Sequence, residues 1–140
     1  GAGKRFCAGG DVEGMAASGD GTVGVNTIDG AIHRQRLNQR GTAGALYSIP
    51  KPTIAALPGA AAGAGLSLAL ACDMRIMASS AMMTTAFAKV GFSGDYGGTF
   101  FMSQLIGTAK ARELYFLSER ALLSRFGSHS PRALWSNRRR

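Results

Sequence analysis

The length, composition and charge of the chain narrow its class before any motif is considered. It has 140 residues, 46% of them hydrophobic and 17% charged, which excludes a disordered or collagen-like chain and predicts one domain with an apolar core. Two cysteines without CxxC spacing and two histidines argue against a disulfide framework and a structural zinc site, so no metal is predicted. Of the net charge of +8, five units belong to arginines within residues 121–140, where no acidic residue occurs.

Targeting signals are not visible at the start of the sequence, and the uncharged stretch 52–72 is the candidate for a membrane span. Pro52 and Pro58 would break a helix there, and the many small residues give the stretch little apolar area. We therefore predict no membrane partner and, from the cysteine usage, a cytoplasmic location.

Glycine, proline and hydrophobic spacing divide the first part of the chain. Asp11 can cap a short helix, which a loop follows up to residue 27. Residues 28–47 have a weak helical periodicity that two glycines interrupt and that Pro50 ends.

The second part of the chain alternates strands and helices. Strands are predicted over 53–57, 73–78 and 82–86, and helices over 62–72, 99–106 and 108–117, the last two each with a threonine as the N-cap. A glycine-rich loop covers residues 91–98. A strand, a turn, a helix and another strand in this order predict a parallel βαβ crossover, so the fold class is α/β. Beyond Arg120 no period is sustained, and we expect coil.

Two glycine-rich turns stand out because each precedes a predicted helix. The first is Phe6-Cys-Ala-Gly-Gly-Asp11, and the second is Pro58-Gly-Ala-Ala-Ala-Gly-Ala-Gly-Leu66. The first N–H groups of a helix have no partner within it, and glycine leaves room for a ligand to approach them. Two such donors directed at one carbonyl oxygen would form an oxyanion hole. Turns that only connect elements are the simpler alternative.

Three segments together resemble one family. They are the first turn, the block from Lys51-Pro-Thr-Ile through Ala71-Cys-Asp-Met-Arg75, and the stretch from Gly97 to Leu114. In order and spacing they resemble the enoyl-CoA hydratase/isomerase (crotonase) family over residues 3–120. The resemblance implies a partial crotonase-like ββα spiral core with short strands and flanking helices in residues 1–120. It leaves residues 121–140 as a basic tail, expected to be disordered or translated out of frame.

The resemblance also implies a site. Family members bind acyl-CoA thioesters and stabilise a thioester enolate, here in fatty-acid or related acyl-CoA metabolism. The oxyanion donors would be the N–H groups of Gly10 and Ala64, while Ala8, Asp11 and Val12 would hold the CoA. Coenzyme A would enter as part of the thioester substrate, so no separate cofactor is expected.

The chain departs from the family pattern at two positions. Ser67 and Phe87 stand where a hydratase of this family has its two glutamates, and neither can do the acid–base work of a carboxylate. We assign both to substrate binding, with helix packing as the simpler role for Ser67. Asp95 resembles, by position, a catalytic aspartate of the dehalogenase and hydrolase members, and is the remaining candidate for a base or nucleophile. A turn residue in a glycine loop is an equally good interpretation of Asp95.

Three functions stay open at this point. The first is an acyl-CoA enzyme of the hydratase/isomerase type. The second is a catalytically impaired, CoA-binding fragment, because the family has further strands before Gly1 and trimer-completing helices after Arg120. Such a chain would expose a sheet edge and would aggregate, or would need a homo-oligomer or a complementing chain. The third, ranked last, is a binder of nucleic acid or an anionic surface through the arginine tail.

Overall fold

The computed structural model describes residues 3–10, 27–119 and 121–122. A long helical segment comes first: α1 (Ile28–Gln39), a π-helical turn (Arg40–Gly44) and α2 (Ala45–Ser48) follow one another without a break. The Thr27 hydroxyl oxygen accepts a 3.1 Å hydrogen bond from the Gly30 N–H and caps the start. The helix predicted over 28–47 is therefore confirmed, and Gly41 and Gly44, the two glycines that interrupt its periodicity, lie in the π-helical turn.

The strands that follow belong alternately to two sheets. They are β1 (Ile54–Leu57), β2 (Ala61–Ala62), β3 (Met74–Met77) and β4 (Met82–Thr84). β1 pairs in parallel with β3, and β2 pairs in parallel with β4. The helix α3 (Ala64–Ala71) connects one pair of strands to the next. Each strand–strand–helix unit thus adds one strand to each sheet, which is the ββα spiral of an α/β protein and contains the predicted parallel crossover.

A 3₁₀ helix (Phe87–Val90), α4 (Gly98–Ile106) and α5 (Thr108–Leu117) complete the layer of helices. The core lies between α3 and α4 and the inward faces of the strands. Its largest members are nearly inaccessible apolar side chains, namely Leu57, Leu66, Phe101, Met102 and Leu114. Burying such side chains is the main stabilising contribution to a domain of this size. The structure places α3, with its small residues, at the centre of the molecule.

Arg75 and Asp73 fasten the end of α3 to the sheet. The buried Arg75 guanidinium donates hydrogen bonds to the carbonyl oxygens of Ala69 (3.2 Å) and Cys72 (2.8 Å), which lie at the C-terminal end of α3. One Asp73 carboxylate oxygen accepts from both the N–H (2.7 Å) and the hydroxyl (2.8 Å) of Thr53. These bonds fix the positions of β1, β3 and α3 relative to one another.

Two predicted boundaries are wrong near α3 and β4. The helix predicted from residue 62 begins at Ala64, because β2 pairs with β4 and Gly63 has a φ of 52°, outside the helical region. The strand predicted to reach residue 86 ends at Thr84, because Ala86 has a left-handed φ of 59°. In both places a backbone conformation that long-range pairing imposes overrides local propensity.

The threonine N-caps predicted for the last two helices are also wrong. Gly97 and Gly107 precede α4 and α5 with φ values of 73° and 80°, and neither helix has a side-chain cap. The coil expected after Arg120 is wrong for its first two residues, which form β5 (Ala121–Leu122) antiparallel to β4.

The helix predicted from Asp11 and the tail from residue 123 lie outside the described residues. Within the part of the chain that the structure describes, no helix is both long and apolar enough to cross a membrane.

Candidate active site

The two glycine-rich turns of the sequence lie side by side. The N–H groups of Phe6 and Cys7 donate to the Ala60 carbonyl oxygen at 3.1 and 3.2 Å, and the Ala62 N–H donates back to the Cys7 carbonyl oxygen at 3.0 Å. Cys7 also forms a parallel bridge with Ala61. The first turn therefore extends the sheet beside β2, directly before the start of α3.

Two glycines make this close approach feasible. Gly9 has a φ of 105°, and a Cβ added there would lie 3.0 Å from the Ala62 carbonyl oxygen and 3.9 Å from the Ala64 nitrogen. A Cβ on Gly65 would lie only 2.8 Å from the Cys7 carbonyl carbon. Side chains at either position would push the turns apart, so the glycines are needed for contact between the turns.

The backbone N–H groups of Gly10 and Ala64 both belong to this contact region. Ala64 is the first residue of α3, where an N–H group has no acceptor within the helix. Neither N–H donates a hydrogen bond within the described part of the chain. That both are directed at one ligand oxygen stays a prediction, and their free donors are consistent with it.

Ser67 lies one turn into α3 and connects it to the glycine loop. Its side chain is 1% exposed, and its hydroxyl donates to the Asp95 carbonyl oxygen at 3.0 Å. The Gly98 N–H donates to the same oxygen at 3.0 Å. The Asp95 backbone is therefore held between α3 and the first residue of α4.

The Asp95 carboxyl oxygens have weaker hydrogen bonding than the Asp95 backbone oxygen. Its Oδ1 atom is buried and has no hydrogen-bond partner among the described residues, and its Oδ2 atom has a long contact of 3.5 Å with the Gln35 amide. Burial raises the pKa of this carboxyl above its ordinary value. Such a carboxylate binds a proton more readily than an exposed one.

The backbone around Asp95 is held in conformations that side chains rarely adopt. Gly94 and Gly97 have φ values of 112° and 73°, and Tyr96 between them has a φ of 49°. The Tyr96 N–H donates to the Gln39 side-chain oxygen at 3.1 Å, so α1 supports the loop. Tyr96, the residue in this loop that has a side chain at positive φ, is strained and directly follows Asp95, and strained residues cluster at ligand sites more often than elsewhere.

Tyr115 of α5 and Phe87 of the 3₁₀ helix complete the cluster. Their rings stack nearly parallel, 4° apart in plane, with centroids 6.0 Å apart. Phe87 is also 3.7 Å from the position a Cβ on Gly63 would take. Burial and the negative charge of Asp95 raise the pKa of the Tyr115 phenol to about 12, so it stays protonated at neutral pH.

Comparison with known proteins shows which family the chain belongs to. The sequence model of the enoyl-CoA hydratase/isomerase family matches residues 1–122. The chain belongs to the enoyl-CoA hydratase/isomerase family. It is 41% identical over 115 residues to the human protein named enoyl-CoA hydratase domain-containing protein 2, mitochondrial, a match that covers 82% of this chain and 36% of that protein. It is 40% identical over 113 residues to rat methylglutaconyl-CoA hydratase, mitochondrial, covering 79% and 32%.

Solved structures of the family agree with the fold. The crystal structure of an enoyl-CoA hydratase from a Polaromonas species superposes with a TM-score of 0.78 at 35% identity, covering 89% of this chain and 46% of that one. The crotonase-like fold predicted from the sequence is thereby confirmed. The chain spans about a third of the length of the two curated relatives and just under half of the solved one.

Within the family frame, the predicted site residues fall into three groups. Gly10, Ala64, Ser67, Phe87 and Asp95 lie on elements that meet around the start of α3. Ala8 is exposed on the first turn, and its contact with CoA stays a prediction. Asp11 and Val12 lie outside the described residues, so their predicted role is not addressed by the structure.

Sequence reasoning missed Tyr115. Nothing near it in the sequence marks a site, because it approaches Asp95 only through the packing of α5 on the glycine loop. A Cβ on Gly94 would lie 3.0 Å from the Tyr115 ring, a contact 21 positions away in sequence. A cavity of about 390 Å³ also opens beside Tyr115, with Phe92, Phe116 and Arg112 in its wall.

Proposed function

We propose that the chain is part of an acyl-CoA enzyme of the hydratase/isomerase type that stabilises a thioester enolate. The observation that supports this best is the side-by-side placement of the two glycine turns, whose Gly10 and Ala64 N–H groups donate to no residue that the structure describes. The buried Asp95 Oδ1 atom, which has no partner among the same residues, adds a candidate base. Family membership supports acyl-CoA thioesters as the substrate class.

The Gly10 and Ala64 N–H groups would bind the thioester oxygen. When a nucleophile adds to an enoyl thioester, or a base removes a proton next to the carbonyl, an electron pair moves onto that oxygen. Fixed amide donors bind the resulting enolate more strongly than the neutral ester, so they accelerate the reaction rather than only tightening substrate binding. The positive end of the α3 dipole adds to this effect.

Asp95 would be the base. Neither Ser67 nor Phe87 can accept a proton at neutral pH, whereas the Asp95 Oδ1 atom is buried and has no hydrogen-bond partner among the residues that the structure describes. Its raised pKa makes it a better proton acceptor than an exposed aspartate. In a hydration, it would take a proton from water as the water oxygen bonds to the acyl chain, and return that proton to the carbon next to the carbonyl.

Crotonyl-CoA hydration by the purified chain tests the proposal, with vinylacetyl-CoA isomerisation run in parallel to distinguish the two reaction types. Ala64→Pro removes one donor, and proline is tolerated at the first position of a helix. We expect kcat to fall by roughly 10²–10³-fold. Thr108→Pro is the matched control, because Thr108 is the first residue of α5 and exposed.

Two results would contradict the proposal. Turnover that Ala64→Pro leaves unchanged would mean that this N–H is no oxyanion donor. Binding of CoA esters without any turnover would favour a non-catalytic, CoA-binding protein. A fall in turnover with Thr108→Pro as large as that with Ala64→Pro would show that proline acts through folding and not through the donor.

A further inference from the structure

The helix α1 turns polar residues towards the rest of the protein. Its Gln35 and Gln39 are half-buried, whereas its Ile32 and Leu37 are 45% and 54% exposed. Residues four apart lie on the same face of a helix, so the two glutamines point the same way. A surface helix normally turns its apolar residues inwards. The reversed arrangement in α1 indicates a specific role for the two amides.

Both glutamines reach the same short stretch of the glycine loop. The Gln39 side-chain oxygen accepts from the Tyr96 N–H at 3.1 Å, and the Gln35 side-chain nitrogen contacts the Asp95 Oδ2 atom at 3.5 Å. Neighbouring positions on one face of α1 therefore contact two adjacent residues of the loop. One contact is with the backbone, and the other is with the carboxyl group of the candidate base.

The contact of Gln39 fixes the peptide group that follows Asp95. This peptide group consists of the Asp95 carbonyl and the Tyr96 N–H. Its oxygen accepts from the Ser67 hydroxyl at 3.0 Å, and its N–H donates to Gln39. Tyr96 has a φ of 49°, which is unfavourable for a residue with a side chain, so the loop needs such bonds to keep its shape.

The glutamines lie near the end of α1 that is attached to the core. A π-helical turn (Arg40–Gly44) begins directly after Gln39, and its Ala43 is buried. Turns of this kind are rare and are frequently found at functional sites. The amides of Gln35 and Gln39 are thus carried by a segment whose position the core determines.

The two carboxyl oxygens of Asp95 have different surroundings. Oδ2 faces the Gln35 amide, whereas the buried Oδ1 has no partner among the residues that the structure describes. An amide donor favours the ionised form of a carboxyl and lowers its pKa. Burial acts in the opposite direction and raises the pKa of Asp95. The contact with Gln35 therefore opposes the effect of burial.

The elements around Asp95 carry few charges that could replace this contact. On α5, the Tyr115 phenol has a pKa of about 12 and is neutral at pH 7, and Arg112 is exposed. On α1, the arginines on either side of Gln35 are exposed. On α3, the Ser67 hydroxyl is uncharged and binds the Asp95 backbone. We therefore expect the charge state of Asp95 to respond to Gln35.

We propose that Gln35 and Gln39 are positioning residues for the base Asp95. Gln39 holds the peptide group after Asp95, and Gln35 binds one carboxylate oxygen. The carboxylate thereby stays ionised, with its Oδ1 atom left for the proton that the reaction transfers. This rests on the proposed function, because it takes Asp95 to be the base.

Carbon NMR of ¹³C-labelled aspartate carboxyls tests Gln35. The chain has five aspartates, and the signal that disappears in Asp95→Asn belongs to Asp95. Gln35→Leu removes the donor and keeps a side chain of similar size. At a given pH within the titration, the ratio of protonated to ionised Asp95 should rise roughly three- to tenfold, as loss of one hydrogen bond predicts. Asn38→Leu, on the exposed side of α1, should leave the ratio unchanged.

Turnover of crotonyl-CoA tests Gln39. Gln39→Leu removes the acceptor of the Tyr96 N–H, so the carboxylate is less well oriented and kcat should fall roughly tenfold. Gln39→Glu keeps an acceptor oxygen of the same reach and should restore most of kcat at a pH where both carboxyls are ionised. Asn38→Leu is again the control, and its kcat should equal that of the native chain.

The results separate this inference from the proposed function. If the native chain turns over neither crotonyl-CoA nor vinylacetyl-CoA, or if Asp95→Asn keeps native turnover, the proposed function of Asp95 fails and the positioning role fails with it. If Asp95→Asn is inactive but Gln35→Leu leaves the titration of Asp95 unchanged, Gln35 does not position the base. If Asn38→Leu lowers kcat as much as Gln39→Leu does, the effect comes from the folding of α1 and not from the contact with Tyr96.

Discussion

Asp73 and Asp95 are both half-buried, yet the regions around them use a carboxylate in opposite ways. Asp73 accepts two short hydrogen bonds from Thr53 and lies next to Arg75, whose guanidinium holds the end of α3. Within the part of the chain that the structure describes, Asp95 has one oxygen with no partner and another with a single long contact. A carboxylate bonded within the protein joins elements together, whereas one left unbonded at a high energetic cost is available to a ligand or a proton.

The strongest test of this contrast is the activity of Asp95→Asn. Asparagine has nearly the same shape but cannot take a proton, so turnover of crotonyl-CoA should fall by about 10²–10⁴-fold. Butyryl-CoA binding, measured by calorimetry, should stay close to native. Asp29→Asn, an exposed change in the first turn of α1, serves as the control. Native turnover in Asp95→Asn would mean that Asp95 is only a turn residue.

Substitutions in the region around Asp73 and Arg75 should change the stability of the protein and not its reaction. Arg75→Met removes the donor from at least two carbonyl oxygens at the end of α3 while keeping an apolar side chain of similar length. We expect the free energy of unfolding in urea to fall by about 3 kcal/mol. Arg112→Met replaces an exposed arginine and should change it little. Equal effects of the two changes would mean that the bonds of Arg75 do not hold α3.

Burial disfavours the charged form of the Asp95 carboxyl, so Asp95→Asn should stabilise the folded protein at neutral pH. Burial raises the pKa of Asp95 above 3.8, so the folded protein holds this proton more tightly than the unfolded chain. The stability that this group contributes is complete at low pH and is lost as the pH rises through the folded-state pKa. The variant should therefore be more stable than the native chain at pH 7 and no more stable below about pH 4. A variant less stable at pH 7 would contradict this.

The smallest expected effect concerns backbone strain beside the site. Ala86 has a φ of 59°, which costs a non-glycine residue about 1–2 kcal/mol, partly offset by the entropy that glycine loses on folding. Ala86→Gly should therefore raise the free energy of unfolding by up to about 1 kcal/mol. Ala88→Gly in the 3₁₀ helix is the control and should lower it by about 0.5–1 kcal/mol. Thermal unfolding of both variants measures the difference.

Local signals in the sequence are sufficient to predict the first helical segment and the paired strands β1 and β3. Pro50 ends the first helical segment, and the apolar runs near Ile54 and Ile76 are strands in the expected parallel pair. The two-residue strands β2 and β5 have no local pattern, because they exist only through their pairing with β4. Their pairing decides where α3 begins.

The residues of the candidate site likewise differ in whether the sequence reveals them. The glycine turns and Asp95 are visible in the sequence, because glycine patterns and the family resemblance mark them. Tyr115 is not visible, because its neighbours Ser67 and Gly98 come from helices that meet only in the folded chain. Site residues that are defined by such distant contacts can be recognised only from the folded structure.

The missing side chain at Gly98 has a consequence for the packing of the helices. A Cβ at this position would lie less than 3.0 Å from both the Ser67 and the Tyr115 side-chain oxygens, so Gly98→Ala can be accommodated only if a neighbouring helix moves. Ser67 is buried in α3 and the Tyr115 ring stacks on Phe87, so neither oxygen can move without disturbing the packing of its own element. The absence of a side chain at this one position therefore allows α3, α4 and α5 to meet beside the glycine loop.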